Sequence, residues 1–388
     1  MARKKLVIID GSSLIYRAFF ALPPLTTADG TPTNAVYGFT TMLLKILEEE
    51  KPDVLLLALE GGRTFRHTSF AEYKAHRPRT PDDLAVQTPI ARAMADAFRV
   101  PILQHPGYEA DDVIGTVTCR AAEAGYDVLV VTGDLDALQL VNPHVRVLVN
   151  RRGVTDAQVY DERAVEERFG LKPELLPDFK ALKGDSSDNI PGIPGVGDKT
   201  AASLLQQYGS LESLLEHAEE VKAAKVRENL VAGRQNAALY KQLATIVTDL
   251  PLELPFEQWA YAGPDLPQAR SLFDRLEFRT LARRLPQPAG AEPPAEAPPT
   301  EIRWRRLQEG PELTDWVTRA QRAGAVALRS LQAGGSGRTG TLQALGLTAA
   351  SDTIVLGGET AGEEGLFAAA ESWRVPGPVK ELLEDPSV

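Results

Sequence analysis

Three short apolar runs, each followed by acidic residues, constrain this chain more than any other feature. The runs and their acids are Leu6–Ile9 with Asp10, Val54–Leu59 with Glu60, and Val128–Thr132 with Asp134 and Asp136. Helical periodicity separates them, and Asn34 is expected to cap the helix that runs to Ile46. Val145–Val149 is a further candidate strand. The pattern predicts an α/β fold on a mainly parallel sheet flanked by helices.

A denser acidic stretch lies at Gly107–Asp112, where Glu109, Asp111 and Asp112 precede an apolar pattern at helical spacing. The three acids therefore belong to the first turn of a helix, where the dipole favours anions but their mutual repulsion requires a cation. Ligands of parallel sheets bind at the carboxyl ends of the strands. A single acid there commonly serves a turn, but convergence of all these acids on one edge favours a multi-carboxylate metal site.

The segment from Arg63 to Arg79 mixes basic and aromatic side chains. They are Arg63, Arg66, His67, Lys74, His76, Arg77 and Arg79, with Phe65, Phe70 and Tyr73 between them. This mixture suits a nucleic-acid strand, through phosphate contacts and base stacking, although a solvated surface helix has a similar composition. Because the segment follows the strand that ends at Glu60, we expect it to lie over the acidic edge.

A second acidic cluster, Asp185 and Asp188, precedes a glycine-rich stretch that has the form of a helix-hairpin-helix. Gly195 and Gly197 allow a tight turn whose backbone N–H groups can face a phosphate at a helix start. Such a contact depends on backbone shape and reads no base. An αα turn without a ligand is the alternative. The residues from Ala201 to Leu285 look helical.

The net charge of −11 does not exclude a nucleic-acid partner. The whole chain has 42 basic and 53 acidic residues, and 9 and 14 of these lie from Pro286 onward, which leaves 33 and 39 before it. Nine of those 39 acids are the proposed metal ligands named below. The remaining surface of residues 1–285 is slightly basic around a strongly negative site that cations would fill.

Composition indicates a cytoplasmic protein. Cys119 is the single cysteine of the 388 residues, so no intramolecular disulfide can form. No apolar run is long enough to cross a membrane, and the apolar part of the N-terminus is too short for a signal peptide.

The C-terminal part has a different composition. Six prolines in residues 286–300 predict an extended linker. Beyond it, Val326–Leu328 and Thr353–Leu356 are candidate strands, with no acidic cluster. We expect a fragment of a longer enzyme, and a naturally short chain is the alternative.

Seven motifs in order make residues 1–285 resemble the 5′-nuclease region of the bacterial DNA polymerase I family, a 5′–3′ exonuclease and flap endonuclease family. The motifs are Ile9–Gly11, Gly30–Gly38, Thr64–His67, Tyr73–Arg77, Gly107–Asp112, Thr132–Asp136 and Gly184–Ala201. The resemblance implies a nuclease that uses two or more Mg²⁺ or Mn²⁺ ions to cut branched, flapped or nicked DNA near its 5′ end, with the basic segment as an arch over the single strand.

The resemblance also implies roles for single residues. Metal ligands would be Asp10, Glu109, Asp111, Asp112, Asp134, Asp136, Asp185 and Asp188, together with Glu60, where the family has aspartate. Lys74 and Arg77 are the candidates for stabilising charge on the phosphate. DNA contacts are assigned to Arg63, Arg66, His67, Tyr73, Gly195, Val196, Gly197, Lys199 and Thr200, and a K⁺ ion is a candidate at the hairpin.

The expected organisation has four parts. Residues 1–180 form the nuclease core with an arch near 61–95, and residues 181–285 form the helix-hairpin-helix subdomain. Residues 286–300 are the linker. Residues 301–388 resemble an incomplete proofreading-type (3′–5′ exonuclease-like) domain that lacks the Asp-x-Glu pair of an active site.

Two rival functions remain. One is a DNA-junction-binding module that has lost catalysis through Glu60. The other is a small ribonuclease of a related fold, which is disfavoured because such proteins lack the second acidic cluster and the hairpin. A monomer is expected, without a small-molecule cofactor or membrane contact and with action at the bacterial nucleoid.

Overall fold

The computed structural model describes residues 3–152, 156–286, 304–307, 310–323, 327–333, 341–349 and 352–357. The chain divides into two compact units, Met1–Pro286 and Gln287–Val388. Apart from Pro286, the expected linker lies outside the described residues. Among the described helices, none combines the length and apolarity needed to span a bilayer.

A six-stranded sheet lies at the centre of the first unit. Its strands are β1 (Lys4–Asp10), β2 (Val54–Ala58), β3 (Ile102–Leu103), β4 (Tyr126–Thr132), β5 (Val145–Arg152) and β6 (Asp156–Tyr160). The order is β3-β2-β1-β4-β5-β6, and all pairs are parallel except β5 with β6. The predicted strands are confirmed, whereas the two edge strands, β3 and the antiparallel β6, were not predicted. Because β1 lies between β2 and β4, its acid comes next to theirs at one edge.

Thirteen α-helices are described in the first unit. They are α1 (Gly11–Ala21), α2 (Asn34–Glu50), α3 (Phe65–Ser69), α4 (Asp82–Ala97), α5 (Ala110–Glu123), α6 (Glu162–Phe169), α7 (Leu176–Lys183), α8 (Asp198–Tyr208), α9 (Leu211–Glu216), α10 (Ala224–Ala232), α11 (Arg234–Ala244), α12 (Leu266–Arg275) and α13 (Arg279–Ala282). Buried residues of α1, α2, α4, α12 and α13 cover one sheet face, and α5 covers the other. A third core lies among α7 to α11.

Two segments of the predicted organisation pack on the sheet. Ala269, Leu272 and Phe273 of α12 are buried in the core on the first sheet face, so the chain returns to the sheet after α11. The second half of the segment 61–95, where the arch is expected, is α4, which packs Leu84 and Met94 into the same core. The arch and the domain boundaries stay predictions.

The start of α2 differs from the prediction as well. The side chain of Asn34 donates to the carbonyl of Phe19 instead of capping its own helix. The first N–H groups of α2, those of Ala35 and Val36, donate to Oε1 of Gln87 at 2.7 and 3.2 Å. The cap is therefore supplied by α4, and it joins the two helices.

The second unit contains a four-stranded sheet and one described helix. Its elements are β7 (Trp304–Arg306), α14 (Pro311–Ala323), β8 (Ala327–Ala333), β9 (Thr341–Ala349) and β10 (Asp352–Gly357), and the strand order is β7-β10-β9-β8. Trp316 of α14 is buried together with Leu347 and Ile354. Strands over Ala327–Leu328 and Thr353–Leu356 are thus confirmed, while Val326 lies outside the described residues. The proofreading-like assignment stays a prediction.

Candidate metal and nucleic-acid site

Acids at the ends of two neighbouring strands meet at one edge of the sheet. Asp10, the last residue of β1, is buried and accepts hydrogen bonds from the Ser13 amide at 2.9 Å and the Thr132 hydroxyl at 2.8 Å. Asp134 follows β4, and its Oδ1 accepts from the amide of Asp136 at 2.9 Å. We use the name acidic pit for the group of Asp10, Glu109, Asp111, Asp134, Asp136, Asp185 and Asp188.

Asp111 carries the clearest sign of a missing partner in the acidic pit. Its Oδ1 is buried without a hydrogen-bond partner among the described residues. Burial, and the carboxylates of Asp10, Asp134 and Asp136, raise the pKa of Asp111 well above its ordinary value. An orphaned carboxylate oxygen surrounded by three more carboxylates fits a hard divalent cation, which prefers an all-oxygen site.

Neighbouring acids show the same crowding. Burial raises the pKa of Asp10 to about 6, although hydrogen bonds from Ser13 and Thr132 lower it. Burial and the adjacent Asp134 raise the pKa of Asp136 to about 7. Each shift means that the charged form is short of compensating positive charge, which a bound cation would provide.

Basic side chains of the expected arch lie on the other side of the acidic pit. Lys74 donates to both oxygens of Glu109 at 2.9 Å, and Arg77 donates to Asp188 at 2.8 Å. Lys74 has φ +54°, a conformation that costs of order 1–3 kcal/mol for a non-glycine residue. Its amide donates to the carbonyl of Asp188 at 3.0 Å, which holds this conformation in place.

Lys180 of α7 is a site residue that sequence reasoning missed. Its ammonium contacts Asp136 and donates to Asp185 at 2.6 Å, so it joins the strand-end acids to the second acidic cluster. The sequence offers no signal for this role, because a lysine near a helix end is usually solvated. These residues line a cavity of about 830 Å³ that also contacts Asp134 and Arg77.

The acids do not form a ready-made cage. Within the described part of the chain, no three His, Cys, Asp or Glu side chains converge closely enough to hold a metal ion. Lys74, Arg77 and Lys180 lie between the acids instead. In the acidic pit, ion pairs therefore hold four of the acids, Glu109, Asp136, Asp185 and Asp188.

Asp112 is the exception among the predicted metal ligands. Oδ2 accepts from Arg66 and from the Glu109 amide, and Oδ1 accepts from Arg66 and from the Val247 amide. Each oxygen thus has two donors, which leaves no lone pair for a metal. Arg66 is 2% exposed and Asp112 is fully buried. The assignments of Arg66 to DNA and of Asp112 to a metal are wrong for this structure, because the two residues pair in the core.

Tyr73 also differs from the prediction. Its ring is 2% exposed and packs in the helical core, so it cannot stack on a base. Its hydroxyl bridges Asp188 at 2.8 Å and Glu109 at 3.1 Å, which fixes two acids of the pit. His67 is half-buried against this ring. Arg63 remains exposed, and its DNA contact stays a prediction.

The hairpin glycines are not equivalent. Gly195 has φ +80°, which a side chain rarely adopts, whereas Gly197 has φ −97° and precedes α8. Val196 is buried and its amide donates to the carbonyl of Ile193 at 3.0 Å. This N–H is therefore not free to bind a phosphate, contrary to the predicted DNA contact of Val196. Lys199 and Thr200 lie in the first turn of α8, and their contact with DNA stays a prediction.

Glu60 lies at the rim of the acidic pit and is exposed. Its amide donates to the Ser12 hydroxyl at 3.0 Å. Partial desolvation and the Glu109 carboxylate raise the pKa of Glu60 to about 7. The next residue, Gly61, packs so closely on the chain that an added Cβ would lie 2.0 Å from the carbonyl oxygen of His105. The backbone position of Glu60 is therefore fixed, and the length of its side chain determines how far its carboxylate extends into the acidic pit.

The middle and the last turn of α5 are held by a strap, residues 243–252, that begins at the end of α11. Arg120 donates to the carbonyls of Leu250 and Leu252 at 2.7 Å, and the Leu250 amide donates to Thr116 at 3.2 Å. Gly115 allows this approach, since an added Cβ would lie 2.5 Å from Ile246. The strap links the helix of Asp111 to the helical subdomain.

Comparison with known proteins matches two consecutive parts of the chain. Residues 5–170 match the N-terminal resolvase-like domain of 5′-3′ exonucleases, and residues 171–267 match their C-terminal SAM-fold domain. The chain is 47% identical over 291 residues to DNA polymerase I of Bacillus caldotenax, which covers 75% of this chain and 33% of that protein. It is also 47% identical over 284 residues to DNA polymerase I of Bacillus subtilis, and this alignment covers 73% of this chain and 32% of that protein. The chain thus spans about a third of the length of these curated relatives.

Solved structures show the same fold at low sequence identity. A T5 5′-exonuclease with bound divalent metal ions (zinc) aligns with a TM-score of 0.52 and 19% identity, over 72% of this chain and 100% of that one. A bacteriophage T5 flap endonuclease, in a pseudo-enzyme-product complex with DNA and metal ions, aligns with a TM-score of 0.52 and 18% identity, over 71% and 100%.

Proposed function

Because residues 5–267 belong to the 5′-3′ exonuclease family, we propose that this chain is a structure-specific 5′-3′ exonuclease and flap endonuclease. It hydrolyses phosphodiester bonds near the 5′ end of branched, flapped or nicked DNA. It acts in replication and repair, at the bacterial nucleoid, as part of a DNA polymerase I-like protein. The observation that carries the proposal is the orphaned, buried Oδ1 of Asp111 among three other carboxylates.

The acidic pit has two groups of donors for divalent cations, Mg²⁺ or Mn²⁺. Asp10, Asp111 and Asp134 would hold one ion, and Asp136, Asp185 and Asp188 would contribute to a second. Cations bound there supply Lewis-acid activation of the scissile phosphate and of water. The carboxylates are held in place by hydrogen bonds from Thr132, Ser187 and Tyr73.

Lys74 and Arg77 supply positive charge on the DNA side of the acidic pit. In the described conformation they pair with Glu109 and Asp188. In a complex with DNA, both basic groups would contact the phosphate and stabilise the charge that develops on it. Hydrolysis then leaves a 5′-phosphate and a 3′-hydroxyl. The hairpin backbone near Gly195 and the first turn of α8 would hold the duplex, with K⁺ as a candidate ion there.

Cleavage of a 5′-flap DNA by the full chain in Mg²⁺, and its arrest by chelator, tests the proposal. Asp111→Asn is the matched control, since it removes a pit charge and keeps the side-chain shape. We expect cleavage by the parent, none after chelation, and none by the variant. Equal cleavage by parent and variant would contradict the proposed site.

A second candidate function rests on Glu60, which extends one methylene further than the family's aspartate and lies exposed at the rim. A DNA-junction-binding module would bind the flap tightly in Mg²⁺ without cutting it, and Glu60→Asp would restore cleavage. A ribonuclease with a single acidic cluster is disfavoured by the second cluster and the helical subdomain.

A further inference from the structure

The side chain of Lys180 occupies a position that the proposed chemistry does not explain. It extends from α7 in the helical subdomain, and its ammonium lies between Asp136, next to β4, and Asp185, just after α7. The three side chains are 15, 16 and 11% exposed. One lysine thus bridges two acidic clusters that come from different parts of the chain.

The charges around Lys180 do not balance. One ammonium contacts the two largely buried carboxylates of Asp136 and Asp185. A third carboxylate, that of Asp134, lines the same cavity. The other basic groups of this wall, Arg77 and Lys183, pair with Asp188 and Asp198 instead. A single positive charge therefore serves this group of acids.

The surroundings allow Lys180 to leave. The ion pairs form part of the wall of the 830 Å³ cavity, so space lies next to the ammonium. A lysine ammonium is a point charge on a flexible four-carbon stem, and it can move away without a backbone change. Asp185 stays in place without it, since its Oδ1 accepts from the amide and hydroxyl of Ser187 at 2.8 and 2.6 Å.

We propose that Lys180 is a resident counter-cation: it holds Asp136 to Asp185 in the metal-free protein and competes with a divalent cation for these two carboxylates. The inference rests on the proposed function in that divalent cations bind the acidic pit. Lys180 is then a positioning residue that sets how readily the second ion binds. A divalent ion displaces it because two charges compensate the crowded acids better than one.

Binding of Mn²⁺ to the chelator-treated full chain, without DNA, tests this role. The number and affinity of sites are measured by titration calorimetry, and free Mn²⁺ by electron paramagnetic resonance. In Lys180→Met we expect the weakest class of Mn²⁺ sites to tighten by at least about tenfold, because the competing charge at contact distance is gone.

Lys183→Met is the matched control. Lys183 lies on the same helix, lines the same cavity and pairs with Asp198 at 3.3 Å, so the variant loses the same charge and leaves the Asp136–Asp185 pair intact. We expect its Mn²⁺ affinities to change by less than about twofold, since a more distant and exposed charge is screened. Equal gains in both variants would show a general charge effect and overturn the proposal.

Lys180→Arg keeps the charge and holds carboxylates through a planar fork, so it should weaken the second Mn²⁺ site. This variant decides the question if Lys180→Met does not fold without metal. Unchanged Mn²⁺ binding in the Lys180 variants would overturn the inference, and a loss of flap-DNA affinity alone would identify Lys180 as a phosphate contact. Failure of the parent itself to bind Mn²⁺ would instead contradict the proposed function.

Discussion

Two basic residues bind acids of the same region in opposite ways. Arg66 meets Asp112 in the core, where two N–H groups donate to the two carboxylate oxygens at 2.7 and 2.8 Å. Lys180 meets Asp136 and Asp185 on the wall of a large cavity. The first pair is sealed from solvent, and the second lies beside open space.

The difference shows that an ion pair near the acidic pit can either stabilise the core or lie where another cation could replace the basic group. The Arg66 guanidinium also donates to the carbonyls of Leu243 and Thr245, so the core pair fastens the strap to α5. Within the described residues, the Lys180 ammonium bonds to the carboxylates of Asp136 and Asp185 and to no backbone carbonyl. Burial and the number of donors therefore separate the two roles, whereas proximity in sequence does not.

The largest expected effect separates two adjacent acids, Asp111 in the acidic pit and Asp112 in the core. Asp111→Asn, and likewise Asp134→Asn, should lower Mg²⁺-dependent flap cleavage by at least about a hundredfold while junction binding survives, because they remove charge where cations are needed. Single-turnover cleavage and filter binding measure the two quantities. If Asp112→Asn, at matched folded fraction, lost as much cleavage without losing stability, the distinction between the residues would fail.

Breaking the core pair should mainly cost stability. Arg66→Met leaves the Asp112 charge uncompensated in the core and should lower the free energy of unfolding by about 3–5 kcal/mol. Urea denaturation of the metal-free chain measures the loss, with Lys180→Met as the comparison. We expect a smaller loss for the latter, since cavity water can reach the freed carboxylates. Equal losses would mean that the two pairs are alike.

Substitution of the two hairpin glycines should have an intermediate effect, and it separates backbone strain from the loss of a DNA contact. Gly195→Val forces a β-branched residue to φ +80° and should destabilise the protein by about 1–3 kcal/mol. Gly197→Val has no such strain, and an added Cβ meets no atom within 4 Å. Both should weaken duplex binding and leave Mn²⁺ binding unchanged. Duplex affinity of Gly197→Val equal to the parent at fixed salt would remove the hairpin from the DNA site.

Glu60 should have a moderate effect on rate. If it supports a cation through a bridging water, Glu60→Gln should lower single-turnover cleavage by about tenfold, and Glu60→Asp should match or exceed the parent. DNA affinity should stay constant, since phosphate contacts come from the basic segment and the hairpin. A Glu60→Gln variant that cuts as fast as its parent would show that Glu60 supports no cation.

A further prediction concerns the pH dependence of the metal-free protein. In the folded protein the pKa of Asp10 is about 6 and that of Asp136 is about 7, whereas the ordinary value is 3.8. Between pH 3.8 and these values, the folded state therefore binds more protons than the unfolded state. Stability should therefore fall as pH rises from about 4 to 7. Asp185, with a pKa of about 2, acts oppositely below pH 4. Denaturation midpoints across this range measure the slope, and excess Mn²⁺ should remove it.

Much of the fold and part of the site could be predicted from the sequence. Continuous apolar runs gave the parallel strands, and the acids that follow them gave the edge where the acidic pit lies, because parallel strands end on the same side. Glu109 and Asp111 were correctly placed at a helix start. Lys74 and Arg77 lie near the acids, as their position after Glu60 predicted.

Contacts between distant segments could not be predicted in this way. The sequence by itself determined which residues carry charge and which elements they follow, since apolar periodicity and turn chemistry are local. Only the tertiary structure decided that Gln87 caps α2, that Arg66 takes Asp112 into the core, and that Lys180 lies between Asp136 and Asp185. The physical reason is that burial and the supply of donors belong to the packed molecule, and these two quantities decide what a carboxylate can bind.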